Sequence, residues 1–263
     1  MKKLFTLTAA TAVVLALPTA ALADSHTETF TAELGQANDS GASATAELSL
    51  DGNDLTVMLD GDGFVEGFPH AMHLHGEPGG DNVCGPLNPS DDGFDDADAD
   101  ADGFLSVVEG AASYGPVTLS LTTEGDTSPD SALAVERFTT SATLDYERTI
   151  EVSDEVAGNL SSLHIVVHAT DLSGDGEIGA VQDAEGNEIP SSLSEDLPLE
   201  ATAPAACGQI VTAGTATGGD MGGGGTATAT TSSSSTNGGL LAGLAALGGI
   251  GAIAARRRGN ATA

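Results

Sequence analysis

Two short runs of alternating apolar and polar residues constrain the fold of this chain more than any other feature. The runs extend from Ala44 to Leu50 and from Leu55 to Leu59, and Asp51-Gly-Asn-Asp54 joins them. This pattern is typical of a β-hairpin with one buried face. Other strand-like runs lie at 27–34, 71–76, 117–122, 142–152, 163–169 and 209–212. Because no long helical pattern interrupts them, the sequence predicts an all-β antiparallel sandwich or barrel.

Both ends of the chain have the composition of targeting or tethering segments. Residues 1–23 combine a basic start, an apolar run and a small-residue cleavage site, which predicts a signal peptide. Residues 213–238 form a linker rich in Gly, Ser and Thr. Residues 239–258 are apolar and end in three arginines, which indicates a membrane anchor or a sorting segment, and a short tail follows at 259–263. The sequence therefore predicts one domain at 24–212, exported to the periplasm, the cell surface or the exterior.

The charge distribution excludes some partners. The formal net charge is −32, and Arg137 and Arg148 are the only Lys or Arg residues in the predicted domain. Such a surface repels nucleic acid and anionic lipid headgroups, so membrane contact is expected only through the C-terminal segment. The chain has two cysteines, Cys84 and Cys207, and in an exported domain they predict one disulfide.

The histidines are the candidate metal ligands. Residues two apart in a strand point to the same face, so His73 and His75 can bind one ion together. His70 has the opposite parity and is expected beside the site, outside the ligand set. His168 ends another strand-like run and can supply a third nitrogen, whereas His164, about 13 Å along the same run, is not expected to bind the same ion. The alternative for each is a purely structural histidine.

Four motifs follow one another along the domain: His70-x-x-His73-x-His75, Gly85-Pro86-Leu87-Asn88-Pro89, Val166-Val167-His168 and Cys207-Gly208-Gln209-Ile210. Their order and content resemble the copper/zinc superoxide dismutase family. The resemblance covers roughly residues 70–210 and leaves out a long insert in the middle. It implies an eight-stranded Greek-key β-barrel as the fold.

The resemblance also implies roles for individual residues. The family's copper ligands fall on His73, His75 and His168. His70 falls on a histidine that supports the copper site from outside the ligand set. The family's disulfide falls on the two cysteines of this chain.

The chain departs from the family at the zinc site. Leu87 stands where the family has the histidine that bridges copper and zinc, and no histidine occurs between His75 and His164. Zinc is therefore not expected. Pro204 replaces the arginine that guides superoxide in the family, three residues before the last cysteine. These losses leave open whether the chain is an efficient dismutase.

An acidic insert at 90–110 contains a second candidate metal site. Residues 98–109 match the twelve-residue calcium loop, with candidate ligands Asp98, Asp100, Asp102, Phe104 (through its carbonyl), Ser106 and Glu109, and a glycine at the turn. The alternative is an acidic low-complexity run. A calcium loop on an extracellular module binds weakly, with Kd on the order of 10⁻⁴–10⁻³ M. The similar start at Asp171-x-Ser173-x-Asp175-Gly176 lacks the closing acid, so a simple turn is predicted there.

The sequence as a whole predicts an exported, surface-attached, copper-binding protein similar to superoxide dismutase. If it is an enzyme, it dismutates superoxide at a copper-only site. The first alternative is a non-catalytic domain that holds copper. The second is a structural surface domain related to the chordin-type repeat domain, in which the histidines bind nothing. The expected cofactors are copper and calcium, and the sequence does not specify an oligomeric state.

Overall fold

A computed structural model describes residues 27–183 and 186–213. The strands are β1 (Glu28–Gln36), β2 (Ser43–Asp51), β3 (Asp54–Asp62), β4 (Met72–His75), β5 (Val117–Ser120), β6 (Leu144–Glu151), β7 (His164–His168), β8 (Val181–Gln182), β9 (Glu188–Ser191), β10 (Ser194–Pro198), β11 (Pro204–Gln209) and β12 (Val211–Thr212). The α-helices are α1 (Phe94–Ala97), α2 (Val107–Tyr114) and α3 (Asp154–Ala157). Short 3₁₀ turns lie at Pro129–Ser131, Val135–Arg137, Leu160–Ser162 and Leu199–Ala201.

The predicted targeting and tethering segments lie outside this description. They are the signal peptide (1–23), the C-terminal segment (239–258), the tail (259–263) and all but the first residue of the linker (213–238). Within the described ranges, no helix has the length and apolar composition needed to cross a membrane.

One antiparallel sheet of nine strands forms the body of the fold. Its order is β5-β4-β7-β11-β1-β2-β3-β6, with β12 beside β1. β6 returns to pair with β3, and β7 returns to pair with β4. These crossing connections are of the Greek-key type. The sheet curls around a core of Leu, Val, Ile, Ala and Phe side chains, which confirms the predicted all-β fold of about eight antiparallel strands.

The predicted hairpin is confirmed residue by residue. β2 pairs with β3 so that Leu50 lies opposite Leu55 and Asp51 opposite Asp54. Gly52 takes a left-handed conformation in the turn, with φ of 64°, which glycine adopts without steric cost. Alternate side chains of both strands enter the core. The period of two in the sequence is therefore the inside–outside alternation of the sheet.

Three elements differ from the sequence prediction. The last long strand begins at Pro204 and not at residue 209, because its Ala-rich segment is buried along most of its length and shows no alternation. β8, β9 and β10 form a separate small sheet, although the sequence shows no strong strand pattern in this region. The acidic insert, in which the sequence predicts only a metal-binding loop, also contains α1, which makes one turn and buries Phe94.

Arg148 and Tyr146 of β6 connect the two ends of the main sheet. Arg148 donates from Nη1 to the Thr122 carbonyl (2.7 Å) and from Nη2 to the Gly125 carbonyl (2.5 Å). The Tyr146 hydroxyl donates to the same Thr122 carbonyl (3.3 Å). Thr122 follows β5, which is the opposite edge of the sheet order. β5 and β6 share no backbone ladder, and these side-chain hydrogen bonds join the two edges of the sheet instead.

Candidate metal centre

The histidines of β4 and β7 lie on the outer face of these two strands, under the acidic insert. On both strands the alternate residues, such as Leu74 and Ile165, enter the main core, so His73, His75 and His168 point away from it. A second apolar cluster covers part of this face and includes Leu87, Phe94, Leu105, Tyr114, Val166 and Cys207. Because both faces are covered, every residue of β4 and β7 is buried.

The three predicted copper ligands converge. One ring nitrogen from each of His73, His75 and His168 lies within 4.8 Å of the others. The ring centroids are 5.2–5.6 Å apart, and Nε2 of His75 lies 3.4 Å from Nε2 of His168. The rings are only 2–4% exposed. This arrangement could hold one metal ion through three imidazole nitrogens.

Backbone carbonyls fix the protonation of each ring. Nδ1 of His75 is 2.9 Å from the Gly115 carbonyl, and Nδ1 of His168 is 2.8 Å from the Thr202 carbonyl. Nε2 of His73 is 3.1 Å from the Ala132 carbonyl. A carbonyl can only accept, so the nitrogen facing it carries the hydrogen and the other nitrogen keeps its lone pair. Nδ1 of His73 is buried without a hydrogen-bond partner, so its lone pair could be donated to a metal.

All three imidazoles are neutral at physiological pH. Burial lowers the pKa of His75 to about 3, with a further contribution from His168. Burial likewise lowers the pKa of His168 to about 4. The pKa of His73 lies well below its ordinary value, because of burial and then because of the two neighbouring histidines. Metal ligation requires the neutral ring, so no proton has to leave before a metal binds.

The remaining site residues take different positions. His70 is fully buried outside the ligand group, with Nδ1 3.2 Å from the carbonyl of His168 and Nε2 2.8 Å from the carbonyl of Val65. His164 lies directly across from His75 in the β4–β7 ladder, yet neither of its buried nitrogens has a hydrogen-bond partner. Leu87 packs in the apolar cluster beneath the insert.

The predicted disulfide is present. Cys84 and Cys207 are bonded, with their Cα atoms 5.9 Å apart and a sequence separation of 123. Cys207 lies on β11, opposite Val166 of β7. The bond therefore ties the segment just before the acidic insert to the strand beside β7.

The acidic loop lies between two short helices. It connects α1 to α2, and one oxygen from each of Asp98, Asp100 and Asp102 lies within 4.8 Å of the others. Burial, opposed by a bond from the Phe104 N–H and reinforced by neighbouring acids, raises the pKa of Asp102 to about 6. Burial and then Glu109 raise the pKa of Asp100. Such a group of carboxylates could bind a cation.

Glu109, the predicted closing ligand, accepts hydrogen bonds from backbone N–H groups in this structure. Its carboxylate accepts from the N–H of Ser106 (2.9 Å) and from the N–H of Ala99 (2.8 Å). Ser106 and Glu109 form a capping box at the beginning of α2, which pairs N–H groups at the helix end that would otherwise lack partners. The carboxylate of Glu109 is therefore near the loop without belonging to the three-carboxylate group.

The second acidic stretch is a turn, as predicted. Asp171 accepts from the backbone N–H groups of Gly174 (2.6 Å) and Gly176 (2.7 Å). Glu200 is fully buried and accepts from the N–H groups of Leu172 (2.8 Å) and Gly179 (2.6 Å). Backbone donors thus use these carboxylates.

Sequence reasoning missed the aromatic neighbours of the histidines. The ring of Phe138 meets that of His73 edge-on at 5.7 Å, and the ring of Tyr114 meets that of His75 at 4.8 Å. Tyr114 ends α2, the helix that follows the acidic loop, 39 positions after His75 in the chain, and no local pattern in the sequence links the two residues.

Comparisons with known proteins give this site no name. No family model matches the sequence, and no curated protein matches it. The function proposed for this chain therefore depends on its sequence and on the geometry of the histidine site.

Proposed function

We propose that this protein is an exported copper protein that holds one copper ion through His73, His75 and His168. Nδ1 of His73, Nε2 of His75 and Nε2 of His168 are the ligand atoms, because the opposite nitrogen of each ring donates to a carbonyl. The buried, partnerless Nδ1 of His73 is the observation that carries this proposal. An unpaired polar nitrogen in the interior is costly, and a metal removes that cost.

The donor set favours copper over other biological metals. Imidazole suits copper, and among the divalent first-row metals Cu(II) has the highest affinity for a given nitrogen site. The carbonyls of Gly115, Thr202 and Ala132 act as the outer partners that orient metal-binding histidines in proteins. Calcium and magnesium prefer oxygen ligands, which this site does not offer.

We propose superoxide dismutation as the reaction, on the basis of the sequence resemblance. Bound copper would supply a one-electron cycle between Cu(II) and Cu(I). The chain's own residues would hold the three nitrogens fixed through both states. His70 would support the site because its ring packs between the carbonyls of Val65 and His168 and can donate its one N–H to either of them. The acidic surface opposes the approach of an anion, so we expect turnover below the diffusion limit.

Metal content and turnover test the two parts of this proposal separately. The purified domain should bind one equivalent of copper, and His168→Ala should abolish that binding. The copper-loaded protein should dismutate superoxide faster than His73→Ala. Equal rates with copper bound would overturn dismutation and leave a non-catalytic copper-holding domain. Absence of copper binding at neutral pH would overturn both and favour a structural surface domain.

We further propose that the acidic loop binds calcium through Asp98, Asp100, Asp102, the Phe104 carbonyl, Ser106 and Glu109. The raised pKa values of Asp100 and Asp102 support this, because burial, together with the neighbouring acids, disfavours their charged forms, and a bound cation would offset that cost. Glu109 would leave its two backbone donors to reach the ion. Calorimetry with calcium should give a Kd on the order of 10⁻⁴–10⁻³ M, and no heat of binding would overturn this assignment.

A further inference from the structure

Helix α2 lies against the ligand histidine His75. The carbonyl of Gly115, the residue after α2, accepts the hydrogen of Nδ1 at 2.9 Å. The ring of Tyr114, the last residue of α2, meets the imidazole at a centroid distance of 4.8 Å and an interplanar angle of 76°. The carbonyl determines which nitrogen is protonated. The contact with the tyrosine ring restricts the plane in which the imidazole lies.

Tyr114 is itself held in place. It is fully buried, and its hydroxyl donates to the Val107 carbonyl at the other end of α2 (3.2 Å). Gly110 makes room for the ring, because a Cβ atom at that position would lie 2.5 Å from Cε1 of Tyr114. The capping box of Ser106 and Glu109 fixes the beginning of the helix. A side chain fixed in this way can fix its neighbour.

We propose that Tyr114 is a positioning residue of the copper site, whose ring holds the imidazole of His75 in the plane that points Nε2 at the metal. This rests on the proposed function, because it presupposes copper at His73, His75 and His168. An aromatic edge-to-face pair favours one relative orientation of the two rings. Tyr114 touches a ligand and not the metal, so its effect is expected in the geometry and affinity of the site.

The chain offers a matched control. It contains two tyrosines and no tryptophan. The second tyrosine, Tyr146, is also buried and also donates its hydroxyl to a backbone carbonyl, at Thr122. It packs in the main core, on the other side of the sheet from the histidines.

Copper binding and the Cu(II) electron paramagnetic resonance spectrum should be compared in wild type, Tyr114→Leu, Tyr114→Phe and Tyr146→Leu. Tyr114→Leu should weaken copper binding roughly two- to tenfold, the range for losing one aromatic pair, and alter the spectrum. Tyr114→Phe should keep both near wild type, because the ring remains. Tyr146→Leu should lower stability without changing the spectrum. An unchanged spectrum and affinity in Tyr114→Leu would overturn the proposal.

Two further measurements keep the test decisive if Tyr114→Leu does not fold. Gly110→Ala retains the tyrosine but must displace its ring, so we expect the spectrum to change as in Tyr114→Leu. Copper should quench the tyrosine emission of wild type more than that of Tyr114→Phe, in which only Tyr146 emits. Equal fractional quenching in both, with an unchanged spectrum in Gly110→Ala, would overturn the role of Tyr114. A wild-type protein that binds no copper would instead overturn the proposed function itself.

Discussion

The histidine site and the acidic loop each bring together three side chains that could bind a metal, but they are prepared for it in opposite ways. His73, His75 and His168 are buried and neutral, and a carbonyl anchors each ring. The carboxylates of the acidic loop are more exposed as a group and repel one another, and backbone N–H groups occupy several of their oxygens. In the histidine site, the lone pairs of three ring nitrogens are already available to a metal.

The difference follows from what burial does to each ligand type. Burial removes the proton from an imidazole, which leaves the form that binds a metal. Burial adds a proton to a carboxylate, which produces the form that does not. Asp102, with its pKa raised to about 6, shows the second effect. A preformed site is therefore readily built from histidines, whereas a carboxylate site depends on its cation.

Loss of the disulfide is expected to have the largest effect, because the bond ties the segment just before the acidic insert to β11, the strand beside β7. Replacing Cys84 and Cys207 together by Ala should lower the free energy of unfolding by about 4–5 kcal/mol, since the bond closes a loop of more than a hundred residues. The measurement is urea unfolding of the double variant against wild type, with reduced wild type as the control. A loss below about 2 kcal/mol would contradict the expectation that the bond stabilises the fold by closing this long loop in the unfolded chain.

Glu109→Gln separates the two regions cleanly. Glutamine can still form the capping box, so α2 should remain intact. It cannot bind calcium as a bidentate carboxylate, so calcium affinity should fall by more than about 100-fold. That value is the largest loss typical of removing a group that only supports a metal ligand, and Glu109 is proposed as a ligand itself. Copper affinity should change little. Glu151→Gln, at an exposed position at the end of β6, is the control and should leave both affinities unchanged.

Parallel titrations of copper and calcium measure this variant. If Glu109→Gln weakened copper binding as strongly as calcium binding, the two regions would not be independent, and the contrast drawn above would be wrong.

His164 tests whether burial of an imidazole is favourable without a partner. Both of its nitrogens are buried and unpaired, so His164→Leu should raise the free energy of unfolding by about 1–3 kcal/mol, the cost of an unsatisfied buried polar group. His70→Leu is the matched control. It is equally buried, but its nitrogens lie beside the carbonyls of His168 and Val65, so its loss should destabilise the protein. Destabilisation by both variants in urea unfolding would mean that a buried partner, such as water, satisfies His164.

The histidine group could be predicted in part because strand parity determines which side chains share a face. His73 and His75 are two apart in a strand, and His168 ends another strand-like run. The hairpin at Gly52 was equally predictable, because apolar alternation and turn residues are both local signals. The parity of His73 and His75 and the turn at Gly52 are constraints that lie within a few residues of sequence, whereas the approach of His168 depends on the pairing of β4 with β7.

What the sequence did not predict depends on backbone atoms and on long-range packing. The carbonyls of Gly115, Ala132 and Thr202 anchor the three rings, and every residue type has a carbonyl, so no residue pattern marks them. The contact between Tyr114 and His75 depends on how the insert folds over the sheet. The start of β11 at Pro204 was missed because alanine has a low β-propensity, and its place between β1 and β7 decides its structure.

A change of pH from 7 to 5 should separate the two sites with the smallest perturbation. Asp102 has a pKa of about 6, so at pH 5 calcium must displace a proton from it, and calcium affinity should fall by about tenfold from this group alone. His75 and His168, with pKa values of about 3 and 4, remain neutral at pH 5. Copper affinity should therefore stay nearly constant over the same range.

The two sites should also change the stability of the metal-free protein with opposite signs. Because the pKa of Asp102 is raised on folding, its contribution is greatest at low pH and is lost as the pH rises through about 6. Because the histidine pKa values are lowered on folding, their contribution is present above the unfolded value of about 6.5 and is lost as the pH falls towards 4 and 3. Asp102→Asn should thus steepen the loss of stability between pH 7 and 5 in urea unfolding. A shallower loss in that variant would show that Asp102 is not the group that opposes the histidines.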